Sequence, residues 1–411
     1  MKTLITFVVA MTLLVAVAPF ETFPCPSNPA LTCVMQGLDS PRGLAFGPEG
    51  ALYVVEAGRG GANLDDPSDG FCCFTGPLNN ALSFGRTGAV TRLWEGEQRQ
   101  IATGLPSIAM PNGNRGLGPH DISFLGRGNA FVTTGLEADP ALRAALIADH
   151  PEFPEIAGLG GLIHVAASGE WRVVADVSAY ERQQNPDGRL NEDGTPAYDS
   201  NPFGILAEPG RVLITDAGSN ALLQIDASVR TSLLAVFHSR GTDSPRPSFA
   251  PPRPPPLPPF EPFTDAVPTA VVAGPDGAYY VSELTGVPFV GGTANIYRVT
   301  PETLPRTFLI GDACVSGFKM VVDIAFDLAG NLLVLQHATG AVQQPGLGVL
   351  IKVIPDRTQT DICSQYQLGT RTTVLADLLR PTSVVVGPDG AVYVSHNSIP
   401  AGRGEVLRIL Q

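Results

Sequence analysis

The stretch from Pro381 to Asn397, PTSVVVGPDGAVYVSHN, recurs along the chain, and that recurrence constrains the fold more than any other feature. It consists of two β-branched runs around Gly387-Pro388-Asp389-Gly390. Pro388 fixes φ at the second turn position and Gly390 accepts a left-handed exit, so the unit reads as a tight antiparallel hairpin. Earlier copies begin at Pro41 (PRGLAFGPEGALYVVEAG), Pro119 (PHDISFLGRGNAFVTTG), Pro202 (PFGILAEPGRVLITDAG), Pro268 (PTAVVAGPDGAYYVSELTG) and Val321 (VVDIAFDLAGNLLVLQHATG), which makes six in all. A strand-turn-strand unit repeated in this way is the mark of a propeller. The runs are nearly continuously apolar, the pattern of sheets buried on both faces between neighbouring blades.

A third and a fourth strand are expected after each hairpin. The third copy shows this most compactly, with GILAE, RVLITD, ALLQID and TSLLAVF falling within about forty residues, the length of one blade. Fourth strands are expected at RQIATGL, WRVVADV, TSLLAVF, RTFLIGD and TTVLADLL, whereas the last copy ends at EVLRILQ without one. LTCVMQGL, Leu31 to Leu38, precedes the first hairpin just as TTVLADLL precedes the last. The expectation is an all-β chain: one six-bladed β-propeller over 31–411, closed by an N-terminal strand that completes the last blade and leaves no long open edge.

Composition is compatible with one large core, since 44 % of residues are hydrophobic and 16 % are charged. The net charge of −13, with Lys2, Lys319 and Lys352 the only lysines, leaves no basic stripe for nucleic acid. MKTLITFVVAMTLLVAVAPF has the layout of a signal peptide over 1–18, with cleavage expected between 18 and 24. The expected location is therefore secreted or extracytoplasmic, with no stable membrane anchor. An even count of six cysteines in an exported chain suggests disulfides. Cys314 and Cys363 are expected to pair between blades, and Cys25 or Cys33 to join Cys72 or Cys73.

Insertions at Gly58 to Thr87, Leu136 to Gly158, Ala179 to Ser200 and Ser239 to Ala266 all fall in loops that emerge on one face of a propeller. Loops piled onto one side of a repeat array often mark its binding face. The last of them is proline-saturated and is expected to be an extended polyproline spacer. NLDDPSDG and NPDGRLNEDGTPAYD are acidic loops without the spacing of an EF-hand, so they read as solvated turns. G-x-S-x-G, H-E-x-x-H and Walker motifs are absent from the sequence, which argues against a nucleophile-based hydrolase or a nucleotide enzyme.

GLDSPRGLAFGPEGALYVVEAGRGG, DSNPFGI at Asp199 to Ile205 and DAGSNALLQID together resemble the ScyD/ScyE family of exported bacterial proteins, relatives of the NHL and gluconolactonase-type six-bladed propellers. The resemblance covers essentially the whole mature chain and implies fold and export. In gluconolactonase-type relatives a carboxylate opens the first inner strand, whereas here Arg42 stands at that position.

Polar residues converge where the inner strands begin (Arg42, His120, Asn201, Thr269, Asp323, Thr382) and where the second strands end (Glu56, Thr134, Asp216, Glu283, Gln336, His396). Arg42, Glu56, His120, Asn201, Asp216, Glu283 and His396 form the candidate binding set, for a small molecule or an exported macromolecule. One reading gives Glu56, Asn201, Asp216 and Glu283 a divalent cation such as calcium, since hard ions take carboxylate and amide oxygens. His120 or His396 would then act as general base on a lactone or ester, or in a pigment-pathway reaction. The other reading is that these side chains satisfy exposed backbone at the channel mouth.

Overall fold

The computed structural model describes residues 31–410 apart from 62–66, 78, 127, 192, 239–263, 288, 302–304 and 341–345. The leader segment, Cys25 and the proline-rich stretch lie outside the described residues. The strands form six small sheets of four or five strands each, so the chain is a six-bladed β-propeller. In blade one the inner hairpin is Pro41–Phe46 and Leu52–Glu56, followed by Ala81–Trp94 and Glu97–Ala109. The inner hairpins of blades two to five begin at Pro119, Pro202, Pro268 and Val321, as the repeats require. The turn chemistry is also as read: Gly390 has φ +75° and donates to the Gly387 carbonyl at 2.9 Å.

Blade six contains Ser383–Val386, Val392–His396 and Gly404–Ile409, and its outer strand is Leu31–Leu38 from the other end of the chain. The two termini pair antiparallel, from Leu31 opposite Ile409 to Leu38 opposite Gly404. This N-terminal strand buries Met35 and Leu38 to 1 % exposure, so it closes the ring through core packing as well as through its ladder.

The apolar cores lie between blades rather than within them. Val55 and Val90 of blade one pack with Ile122, Val132 and Ile163 of blade two, and equivalent clusters fill the other five junctions. A further cluster of Phe84, Leu136, Leu146 and Phe153 lies under the insertions of the first two blades. There the insertion after Gly58 carries the strand Gly70–Thr75, which pairs with an early extension of the blade's third strand. The insertion after Leu136 forms the helix Pro140–Asp149, whose first turn is capped by Asp139.

Two sequence expectations are corrected. RTFLIGD is not the fourth strand of blade four: Arg306–Phe308 runs parallel to Ala235–Phe237 on the outer edge of blade three, and Val315–Phe318 completes blade four. Apolar periodicity marks a segment as strand without saying which edge it joins. Cys314 and Cys363 are bonded as expected, linking blade four to the connector of blade five. Cys72 and Cys73, however, are bonded to each other rather than to Cys25 or Cys33. Among the described residues, no helix is long and apolar enough to cross a membrane.

Candidate functional site at the channel mouth

The inner strands are stitched to one another by side chains reaching neighbouring carbonyls. Arg42 Nη2 donates to Gly116 O at 2.6 Å, His120 Nδ1 meets Pro202 O at 3.0 Å, and Thr269 Oγ1 donates to Val321 O at 2.9 Å. His337 Nδ1 meets Pro381 O at 2.9 Å, and Thr382 Oγ1 donates to Pro41 O at 2.8 Å, which returns the circuit to blade one. Three of the five acceptors, Pro202 O, Pro381 O and Pro41 O, are carbonyls of prolines at the start of a repeat, and in each case the donor comes from the preceding blade.

For the two histidines this arrangement fixes the tautomer. A carbonyl can only accept, so Nδ1 carries the proton and Nε2 keeps its lone pair. Burial pushes the His120 imidazole down to about 3, with the Arg42 charge acting in the same direction. Burial likewise pushes His337 down to about 4 against its bond to Pro381, aided by Arg380 and Arg42. Both rings are therefore neutral at ordinary pH. His120 also stands beside Asn201 at the Gly135 backbone, where even a methyl group would overlap the imidazole, and Asn201 Oδ1 accepts from Leu136 N at 3.3 Å.

Arg42 carries the charge of this site. Its guanidinium is buried deeply enough that desolvation lowers it to about 10, offset by the exposed Glu137 and reinforced by the exposed Arg115. Its Nε is buried without a hydrogen-bond partner. Arg42, Arg115 and Arg380 thus place positive charge around two neutral imidazoles in a chain whose net charge is −13.

The second-strand residues behave differently. Glu56 accepts from Asp39 N at 2.7 Å, from Gln100 Nε2 at 3.3 Å and from the Thr91 hydroxyl. Asp216 accepts from Ser200 Oγ at 2.6 Å, from Asn201 N at 2.7 Å and from the N–H groups of Gly218 and Ser219. Gln336 does the same for Lys319 N at 2.6 Å. At all three positions an acceptor at the end of the second strand takes the N–H of the chain entering the blade, which is the backbone-satisfying alternative. Glu283 is buried to 2 % exposure at the corresponding place in blade four.

Among the described residues, no three His, Cys, Asp or Glu side chains come together as a metal site, so Glu56, Asp216 and Glu283 do not form the expected carboxylate cluster. His396 turns to its own blade, with Nε2 at 2.9 Å from Glu405 Oε2. The residues that do meet are Arg42, His120 and Asn201. His337, Arg115 and Arg380 join them although they were not anticipated. His337 lies one position past the aligned strand end, and its contact with Pro381 O spans 44 residues, which no local pattern would have pointed to.

Below this layer Asp121 and Asp323 come from blades on opposite sides of the ring. Asp121 Oδ2 accepts from Ile205 N at 3.0 Å, and Asp323 Oδ2 accepts from Val384 N at 2.8 Å and Ser383 Oγ at 2.7 Å. Each ties its blade to the next. Burial raises both carboxyls, Asp121 feels the charge of Asp323, and Asp323 is raised to about 6.

No protein-family model matches the chain, and no curated protein matches it. Solved structures do. A regucalcin from Agrobacterium tumefaciens, described as a calcium-binding protein, is 10 % identical, with a TM-score of 0.44 and coverage of 92 % of either chain. A gluconolactonase from Xanthomonas campestris is 9 % identical, with a TM-score of 0.43 over 92 % of this chain and 89 % of that one. A catalytically inactive virginiamycin B lyase from Staphylococcus aureus with quinupristin is 11 % identical, with a TM-score of 0.42 over 92 % and 99 %. The class defined here is a six-bladed β-propeller with a basic, histidine-flanked mouth, and its neighbours are propellers of the gluconolactonase and virginiamycin B lyase kinds. Identities this low carry no chemistry across.

Proposed function

We propose that the protein is an exported propeller of the ScyD/ScyE type that binds a small anionic molecule, a carboxylate, at its loop-rich mouth. The observation that carries this reading is the half-buried Arg42, whose buried Nε has no partner and whose charge acts on two neutral imidazoles, His120 and His337. A buried cation with a free donor favours an anion in low dielectric, and a planar guanidinium matches a carboxylate. The neutral histidines supply flat walls without adding charge, and their Nε2 lone pairs would take a hydroxyl donor elsewhere on the ligand.

The Nε2 lone pairs support a second reading, hydrolysis of a lactone or ester. His120 Nε2 would take a proton from water as the hydroxide adds to the carbonyl carbon, with Arg42 Nε facing the oxyanion. The ring or ester C–O bond would then break and the leaving oxygen would recover the proton.

The test is calorimetric titration and thermal shift with pyruvate, gluconate and benzoate at low salt, together with hydrolysis of a lactone and ester panel. Saturable binding lost in Arg42→Met and weakened in His120→Asn supports the first reading. Turnover lost in His120→Asn supports the second. Binding or turnover that is the same in both variants as in the parent, or found with none of the probes, overturns the site.

A further inference from the structure

Behind the mouth, where blade two hands over to blade three, lies a second group of oxygens that none of the chemistry above uses. Glu181 sits on the helix Ser178–Gln184 and is 1 % exposed, yet one of its carboxylate oxygens has no partner. The Asp199 N–H reaches the Glu181 carboxylate, while Asp199 keeps a buried, unpartnered oxygen of its own. Asp199 leads directly into the inner strand of blade three, and its backbone lies against Gly218, where an added methyl would come to 2.7 Å.

The next residue, Ser219, is also 1 % exposed, and its hydroxyl finds no partner. Asn185 caps the Glu181 helix, donates through Nδ2 to Arg189 O at 2.9 Å, and leaves its buried Oδ1 unpartnered. Asp187, two residues on, is held by Asn220 Nδ2 at 2.9 Å. The NPDGRLNEDGTPAYD segment is therefore not a solvated turn throughout, because both Asp187 and Asp199 turn into the protein.

A buried hydroxyl or amide oxygen left unmatched costs about 1–3 kcal/mol, and a buried carboxylate costs more. Four such atoms, two of them on carboxyl groups, lie on Asn185 at the helix end, on Glu181, and on Asp199 and Ser219, whose backbones are neighbours, and a shared ion would satisfy them. Arg189, which acts on Asp187 and Asp199, is itself held by Asp265 at 3.3 Å. The unmatched atoms are all oxygens, they do not hydrogen-bond one another, and they mix carboxylate, amide and hydroxyl types. That is the donor set a hard cation takes, and it needs no third carboxylate.

We propose that Glu181, Asp199, Asn185 and Ser219 hold a divalent cation of the calcium class, which pins the connector over residues 179–200 to blade three. This site is distinct from the set of Glu56, Asn201, Asp216 and Glu283. Because Asn201 follows two residues after Asp199, the ion would also fix the wall of the mouth beside His120.

The test is titration of the full chain, stripped with chelator, with calcium chloride, read by calorimetry and by melting temperature. One saturable site and a rise in melting temperature are expected. Glu181→Gln should weaken binding at least tenfold and Ser219→Ala several-fold, while Asp193→Asn, an exposed member of the same segment, should bind as the parent does. If Glu181→Gln does not fold, Ser219→Ala and Asp193→Asn still decide the matter. Absence of heat and of melting shift up to 5 mM calcium, or equal binding by the parent and Ser219→Ala, overturns the site.

Discussion

Replacing both Cys314 and Cys363 by alanine gives the most quantitative check on how the ring is held together. The disulfide joins residues 49 apart in sequence and connects blade four to the connector of blade five. A crosslink closing a loop of that length removes unfolded-state entropy equivalent to about 4 kcal/mol at 25 °C on the chain-entropy estimate, with about 2–4 kcal/mol usual in practice. The cost of losing the sulfur atoms themselves is small beside this, since Cys314 packs among Tyr280, Val315 and Tyr366 with little volume to collapse. The double variant should therefore lose about 2–4 kcal/mol in urea unfolding followed by far-ultraviolet circular dichroism. The parent treated with reductant should lose at least as much, since reduction also opens the disulfide made by Cys33. Cys72 and Cys73 provide an internal control, because a bond between neighbours closes no loop and its removal should leave the midpoint in place. Equal effects of the two double variants, or a Cys314/Cys363 variant as stable as the parent, would refute the account of an inter-blade crosslink acting on the unfolded chain.

Deleting 31–38 removes two nearly fully buried side chains, Met35 and Leu38, along with the closing ladder. Since large-to-small changes at such sites cost about 2–5 kcal/mol each, the truncated chain should melt far below the parent, and an unchanged melting curve would disprove closure. The pair formed by Asp121 and Asp323 sets a pH dependence. Asp323 is raised from 3.8 to about 6, so the folded state holds its proton more tightly than the unfolded chain does. This contribution to stability is complete below 3.8 and disappears as pH rises through about 6. Denaturant midpoints in Asp323→Asn should lose the part of their slope between pH 4 and 7 that the parent shows, and identical profiles would count against the coupling.

Fold and site were not equally legible in the sequence. The hairpin units announced themselves because Gly-Pro-Asp-Gly and its variants are local chemistry, and local chemistry repeats whenever the backbone does. Ring closure was legible for a related reason: LTCVMQGL supplies the one strand that the last copy lacks. The partner of Arg306–Phe308 was not legible, because edge pairing depends on what lies across space rather than on apolar pattern. At the mouth, Glu56 and Asp216 stood where ligands would stand, but the same oxygens also satisfy the N–H groups of their own blades. A carboxylate in a sequence does not disclose which of these tasks it performs. The pairing of His120 and His337 with proline carbonyls was hidden because it joins strands 82 and 44 residues apart.

The pairing of the two chain ends also fixes an order of events during synthesis. Leu31–Leu38 is made more than 360 residues before its partner Gly404–Ile409, so this strand must wait until all six inner hairpins have been translated. Blades one to five can assemble progressively through neighbour contacts, while the final step is a long-range docking that incomplete chains cannot perform. A chain lacking Gly404–Ile409 would leave Leu31–Leu38 without its ladder partner and the ring with an exposed strand edge.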